Sequence, residues 1–89
     1  MTFNVELSRA AERDLLGLPS SMIHRVDAAL SRMKEEPRPV GALKLHGKTE
    51  NGWRVRVGDY RILYTIDVGT MTVRVYRIEH RQSVYKKRK

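Results

Sequence analysis

The spacing of apolar positions changes period twice along the chain. From Thr2 to Leu7, Phe3, Val5 and Leu7 alternate with polar neighbours, the two-residue period of a strand. Ala11, Leu15 and Leu18 then follow helical spacing, which predicts a short helix over 9–17 with Ser8 as N-cap and Gly17 and Pro19 as stops. Met22, Ile23, Val26, Leu30 and Met33 recur at i, i+3/i+4 and i+7, predicting a second helix capped by Ser20 or Ser21 and running to Glu36. That stripe reads as core contact, and Pro37 and Pro39 end it. Residues 37–50 read as a loop containing "LKLHGK". Alternation returns in "WRVRVGDYRILYTID", giving a strand over 51–57, a hairpin turn at Gly58-Asp59 and a strand from Tyr60 to Asp67. Val68-Gly69 make the next turn, Thr70–Ile78 a fourth strand, and Glu79–Lys89 a polar, basic tail.

This order, β-α-α-β-β-β, predicts one α+β domain over 1–89, with two helices packed on one face of a largely antiparallel four-stranded sheet. Such a sheet can leave its other face to solvent. Alternation then sorts the side chains. Trp53, Val55 and Val57, with Tyr60, Ile62, Tyr64 and Ile66, point under the helices. Arg54 and Arg56 take the open face, joined there by Arg61, Leu63 and Thr65. By the same parity Arg74 and Arg77 fall on opposite faces.

Charge changes the picture. The net is +8, but residues 1–50 hold eight Lys/Arg against seven Asp/Glu, a net of +1, whereas 51–89 hold ten against three, a net of +7. A basic half on a nearly neutral half is the footprint of a polyanion-binding protein. There is no cysteine, which excludes disulfides and thiolate metal sites and fits a reducing compartment. Glu6, Arg9, Glu12, Arg13 and Asp14 interrupt any signal-peptide core, and no apolar run is long enough to span a bilayer. The expected setting is the cytoplasm.

Three arginines on one sheet face repel each other and gain nothing for folding. Guanidinium stays protonated and matches phosphate oxygens bidentately, so the cluster suits one or two phosphates. The alternative is a solvated surface balanced by carboxylates, but the second half offers only Asp59, Asp67 and Glu79, of which the two aspartates sit in turns. Arg81 follows the last strand and Tyr85 lies four residues on, on the same face in either a helical or an extended segment. A tyrosine beside arginines can stack on an unpaired base. Lys44, His46 and Lys48 in the loop, and Lys86, Lys87 and Arg88 in the tail, are further candidate contacts to a polyanion such as RNA. His80 adjoins the cluster and is the candidate for proton transfer, whereas His24 reads as structural or solvent-facing. Three scattered histidines make no metal site, and no P-loop, dinucleotide fingerprint or cofactor motif is present.

"WRVRVGDYRILYTID" followed by "VYRIEHRQSVYK" resembles the RelE/ParE superfamily of bacterial and archaeal toxins, on the RelE side. The element order fits across nearly the whole chain, and "GDYRILY" with "HRxxxY" is the specific part. The resemblance implies a microbial-ribonuclease-like sheet and metal-free cleavage of messenger RNA in the ribosomal A site, without a cofactor. It also implies inhibition by a cognate antitoxin in a heterotetramer or larger complex, the antitoxin's acidic segment covering the basic face. The family's functional positions fall on Arg54, Arg56, Arg61, Arg81 and Tyr85. This chain departs from the pattern where the best-described members carry lysines, at Arg54 and Arg56. Lysine can lower its pKa and act as a base, and arginine cannot, so the general base stays unassigned. Two alternatives stay open: a ParE-like inhibitor of DNA gyrase, and a non-catalytic RNA- or ribosome-binding module.

Overall fold

The computed structural model describes residues 2–45 and 52–81. The chain forms β1 (Asn4–Leu7), α1 (Arg9–Leu16), α2 (Ser20–Glu35), β2 (Leu43–Lys44), β3 (Gly52–Val57), β4 (Tyr60–Asp67) and β5 (Thr72–His80). The class is α+β, as expected. The sheet has five strands rather than four, in the order β1-β5-β4-β3-β2. β3, β4 and β5 form the antiparallel meander. β1 joins β5 in parallel, because two helices and the meander intervene and bring the chain back in the same direction. β2, inside the expected loop, pairs through Leu43 and Lys44 with Arg54 and Trp53. Two residues are too few to carry a period.

Local chemistry sets the helix ends. Ser8 Oγ accepts a hydrogen bond from the Ala11 N–H, as an N-cap should, and also donates to the Tyr76 carbonyl, fixing α1 to β5. The Gly17 N–H closes the helix on the Arg13 and Asp14 carbonyls. The expected Ser20 or Ser21 cap of α2 is not observed. Pro19 takes the cap position with no side-chain bond, and its carbonyl accepts from the Met22 and Ile23 N–H groups. Both serines lie inside the helix, whose entry is set by the proline's fixed φ.

Val26, Leu30 and Met33 of α2, with Ala11 of α1, are buried against Val55, Val57, Ile62, Tyr64, Ile66, Val73, Val75 and Ile78 of the sheet. Phe3, Val5 and Leu7 pack against the same core. Tyr64 is wholly buried, and its hydroxyl donates to the Pro37 carbonyl at 2.8 Å. Burial pushes its pKa up to about 12, against the opposing pull of Arg38. The β3–β4 hairpin turns on Gly58, whose φ of +59° favours glycine. The Arg25 guanidinium lies 3.0 Å from where a Cβ would sit, so a larger residue there would meet a side chain as well as strain.

One feature of β5 overturns an expected face. Leu63 pairs with Arg77 but Tyr64 pairs with Val75, leaving Tyr76 as the extra residue of a β-bulge. The bulge shifts parity, so Arg74, opposite Thr65, and Arg77, opposite Leu63, share the open face instead of lying on opposite faces. The fourth strand also starts at Thr72, not Thr70, and takes in Glu79 and His80 from the expected tail. Among the described residues no helix is long and apolar enough to cross a membrane.

Candidate active site

On the open face the register lines side chains up in rows across the strands. Arg56, Arg61 and Glu79 form one row across β3, β4 and β5. Leu43, Arg54, Leu63 and Arg77 form the next. Thr65, Arg74 and Glu6 form the third. Side chains directly opposite each other stand about 5 Å apart at Cβ. Arg54, Arg56 and Arg61 are therefore brought together, as the alternation predicted.

The rows differ in how their charge is balanced. Arg74 pairs with Glu6 at 3.4 Å, with both side chains more than half exposed. Arg77 Nε donates to Asp14 Oδ2 at 2.9 Å, and the same oxygen accepts from the Ile78 N–H. That hydrogen bond, with the carboxylate's charge, holds the Arg77 guanidinium above arginine's ordinary pKa. These two arginines are committed to holding β1 and α1 to β5. At the hairpin end, Arg61 faces Glu79 at 3.7 Å, an ion pair longer than a hydrogen bond, with side chains 22% and 17% exposed. Among the described residues, Arg61 Nε is buried without a hydrogen-bond partner. Among the described residues Arg54 and Arg56 make no ion pair. Among the described residues, the arginines without an ion-pair partner, Arg54 and Arg56, thus lie on β3 beside the long Arg61–Glu79 contact.

Arg81 follows β5. Its N–H donates to the Asp59 carbonyl, which sets it beside the β3–β4 turn, and its guanidinium lies 4.0 Å from the Asp59 carboxylate. The side chain is 59% exposed, so that contact holds it only loosely. His80 is not brought to the cluster. It pairs with Tyr60, and their rings meet edge-on at 4.9 Å, on the parity of Ile62 and Tyr64. Lys44 lies opposite Trp53, on the other parity from Arg54. Tyr85, His46, Lys48, Lys86, Lys87 and Arg88 lie outside the described residues. No group of three or more His, Asp or Glu side chains suited to a metal ion occurs among the described residues.

Sequence reasoning missed that Glu79 stands within the arginine row. Strand parity from Arg77 would have suggested it, had β5 been drawn two residues longer. It also missed Arg38, whose guanidinium lies 5.4 Å from the Trp53 ring centroid at the far side of the sheet.

The chain is thus a small two-layer α+β domain with arginines on its open sheet face. A family model described as the ParE toxin of type II toxin–antitoxin systems, parDE, matches residues 5–85. The chain belongs to this family of toxins, within the RelE/ParE superfamily and on its RelE-like side. It is 33% identical over 88 residues to the toxin RelG of Mycobacterium tuberculosis, covering 98% of this chain and 100% of that protein. It is 29% identical over 89 residues to the putative toxin RelE1 of Methanocaldococcus jannaschii, covering 97% and 98%. Among solved structures, the toxin–antitoxin complex RelBE2 from M. tuberculosis is similar, with a TM-score of 0.79 and 30% identity over 91% of this chain and 100% of that one. The archaeal RelE–RelB complex from Pyrococcus horikoshii gives 0.80 and 26%, over 91% and 97%.

Proposed function

We propose that this toxin is a ribosome-dependent endoribonuclease that cleaves messenger RNA in the A site and so stops translation in the cytoplasm. The observation that carries the reading is the open-face row: Arg56 and Arg61 directly opposite, Arg54 beside them, and Arg81 held near the same turn. The reaction is metal-free transesterification. The ribose 2′-oxygen attacks the adjacent phosphorus, and the 5′-oxygen leaves. Negative charge builds on the phosphorane, and preorganised cations stabilise it more than the ground state. Arg61 and Arg81 take the non-bridging oxygens. Arg54 and Arg56 orient the phosphate and favour ionisation of the 2′-hydroxyl, and Tyr85 stacks on a base. His80 receives no step, since its ring packs on Tyr60.

A cognate antitoxin holds the toxin inactive in a heterotetramer or larger complex. The pairing with an antitoxin draws support from two similar solved structures that are complexes of RelE-type toxins with their antitoxins. An acidic antitoxin segment laid over Arg54 and Arg56 would neutralise the site. A second reading, inhibition of DNA gyrase, has one observation in its favour: the matching family model carries the ParE description. Mapping messenger 5′ ends after induced expression, alongside a supercoiling assay, separates the two. New 5′ ends within translated codons, absent from Arg61→Ala and Arg81→Ala, support the ribonuclease. Loss of supercoiling activity without new ends supports the gyrase inhibitor. Neither effect leaves a binding module.

A further inference from the structure

Arginines can stabilise charge but cannot remove the 2′-hydroxyl proton. The ribonuclease reading above, on which this inference rests, therefore leaves its base unassigned. We propose that Glu79 is that base. Its carboxylate completes the Arg56–Arg61–Glu79 row, so it stands on the face where the phosphate would lie. Asp59 lies in the turn before β4 at 69% exposure, and Glu6 and Asp14 are engaged with Arg74 and Arg77.

The state of the carboxylate fits the role. Glu79 is 17% exposed, and among the described residues it accepts no hydrogen bond. Its contact with Arg61 is 3.7 Å, within reach of charge but too long for a hydrogen bond. A carboxylate only 17% exposed, with acceptors left unused among the described residues, fits a site of chemistry. Arg61 offers five N–H donors in a fixed fork. It can keep Glu79 in place with one edge and meet a phosphate oxygen with another.

The step balances without a co-reactant. A Glu79 carboxylate oxygen takes the 2′-hydroxyl proton as the 2′-oxygen forms its bond to phosphorus. The phosphorus–5′-oxygen bond breaks, and the leaving oxygen is protonated from water. The upstream fragment ends in a 2′,3′-cyclic phosphate and the downstream fragment begins with a 5′-hydroxyl. Glu79 then returns its proton to solvent.

The test is single-turnover cleavage of a messenger on programmed ribosomes, measured across pH with the unaltered protein, Glu79→Gln and Glu79→Asp. Glu79→Gln keeps the shape and removes the base, and its rate should fall on the order of 10²–10⁴-fold. The unaltered enzyme should lose rate toward low pH. Glu79→Gln should lack that acid limb, and Glu79→Asp should retain it with partial activity. Glu79→Gln cleaving within a few-fold of the unaltered protein overturns the assignment. So does a slowed Glu79→Gln that keeps the same acid limb, which would make Glu79 a positioning residue for Arg61. If Glu79→Gln does not fold, Glu79→Asp is decisive: a displaced acid limb supports the base, and an undisplaced one overturns it. Absence of cleavage by the unaltered protein overturns the ribonuclease reading itself, a separate outcome.

Discussion

The two faces of the β3–β4–β5 meander are built from the same three strands and have opposite properties. On the covered face, Ile62, Tyr64, Val73 and Val75 are wholly buried, and the Tyr64 hydroxyl has found the Pro37 carbonyl. Across the strand, one residue away, Arg61 has a buried Nε with no hydrogen-bond partner among the described residues and an acid held at 3.7 Å. One face satisfies its groups and stabilises the fold. The other balances its charge only through long contacts at the hairpin end, Arg61 to Glu79 and Arg81 to Asp59, and more fully further along, where Arg74 and Arg77 meet Glu6 and Asp14. Parity alone should therefore sort mutational effects into loss of folding and loss of chemistry.

The largest effect should come from the covered face. Ile62→Ala removes a fully buried side chain and should cost about 2–5 kcal/mol. In a domain of this size each kcal/mol lowers Tm by about 4–8 °C, which thermal unfolding would record. Its cross-strand-parity neighbour should behave otherwise: Arg61→Ala should slow messenger cleavage on the order of 10²–10³-fold while Tm moves by only a few degrees. If both variants simply unfold, the division between the faces fails.

Tyr64 sharpens the comparison from the covered side. Tyr64→Phe strands the Pro37 carbonyl and should cost about 1–3 kcal/mol in denaturant unfolding. Because burial raises the folded pKa to about 12, the folded protein holds a proton that the unfolded chain releases near pH 10. Stability from this group is complete below pH 10 and should fall by about 2–3 kcal/mol as pH rises to 12. Tyr64→Phe should flatten that slope. The smallest effect belongs to the exposed Arg74–Glu6 pair, where Arg74→Ala should change stability by less than about 1 kcal/mol.

The same contrast explains what could be read in advance. The covered face was legible because burial enforces period: Val55, Val57, Ile62 and Ile66 alternate and both helices carry stripes. Arg54, Arg56 and Arg61 were legible too, since a two-residue hairpin at Gly58-Asp59 fixes their register. Legibility ended at Tyr76. A bulge leaves no mark on composition, yet it moved Arg77 to the open face and with it the parity of everything after. Glu79 and His80, taken for tail, are strand residues on opposite faces, one in the arginine row and the other on Tyr60. The parallel pairing of β1 with β5 and the Arg77–Asp14 tie join residues 63 or more positions apart, which no local pattern reports.

The account rests on the open face acting on RNA, and the fragment ends of a messenger translated with this toxin report on it most directly. Cleavage leaving a 2′,3′-cyclic phosphate and a 5′-hydroxyl, abolished by Arg61→Ala in a folded protein, is the predicted result. An intact messenger, or ends bearing a 5′-phosphate, would contradict it.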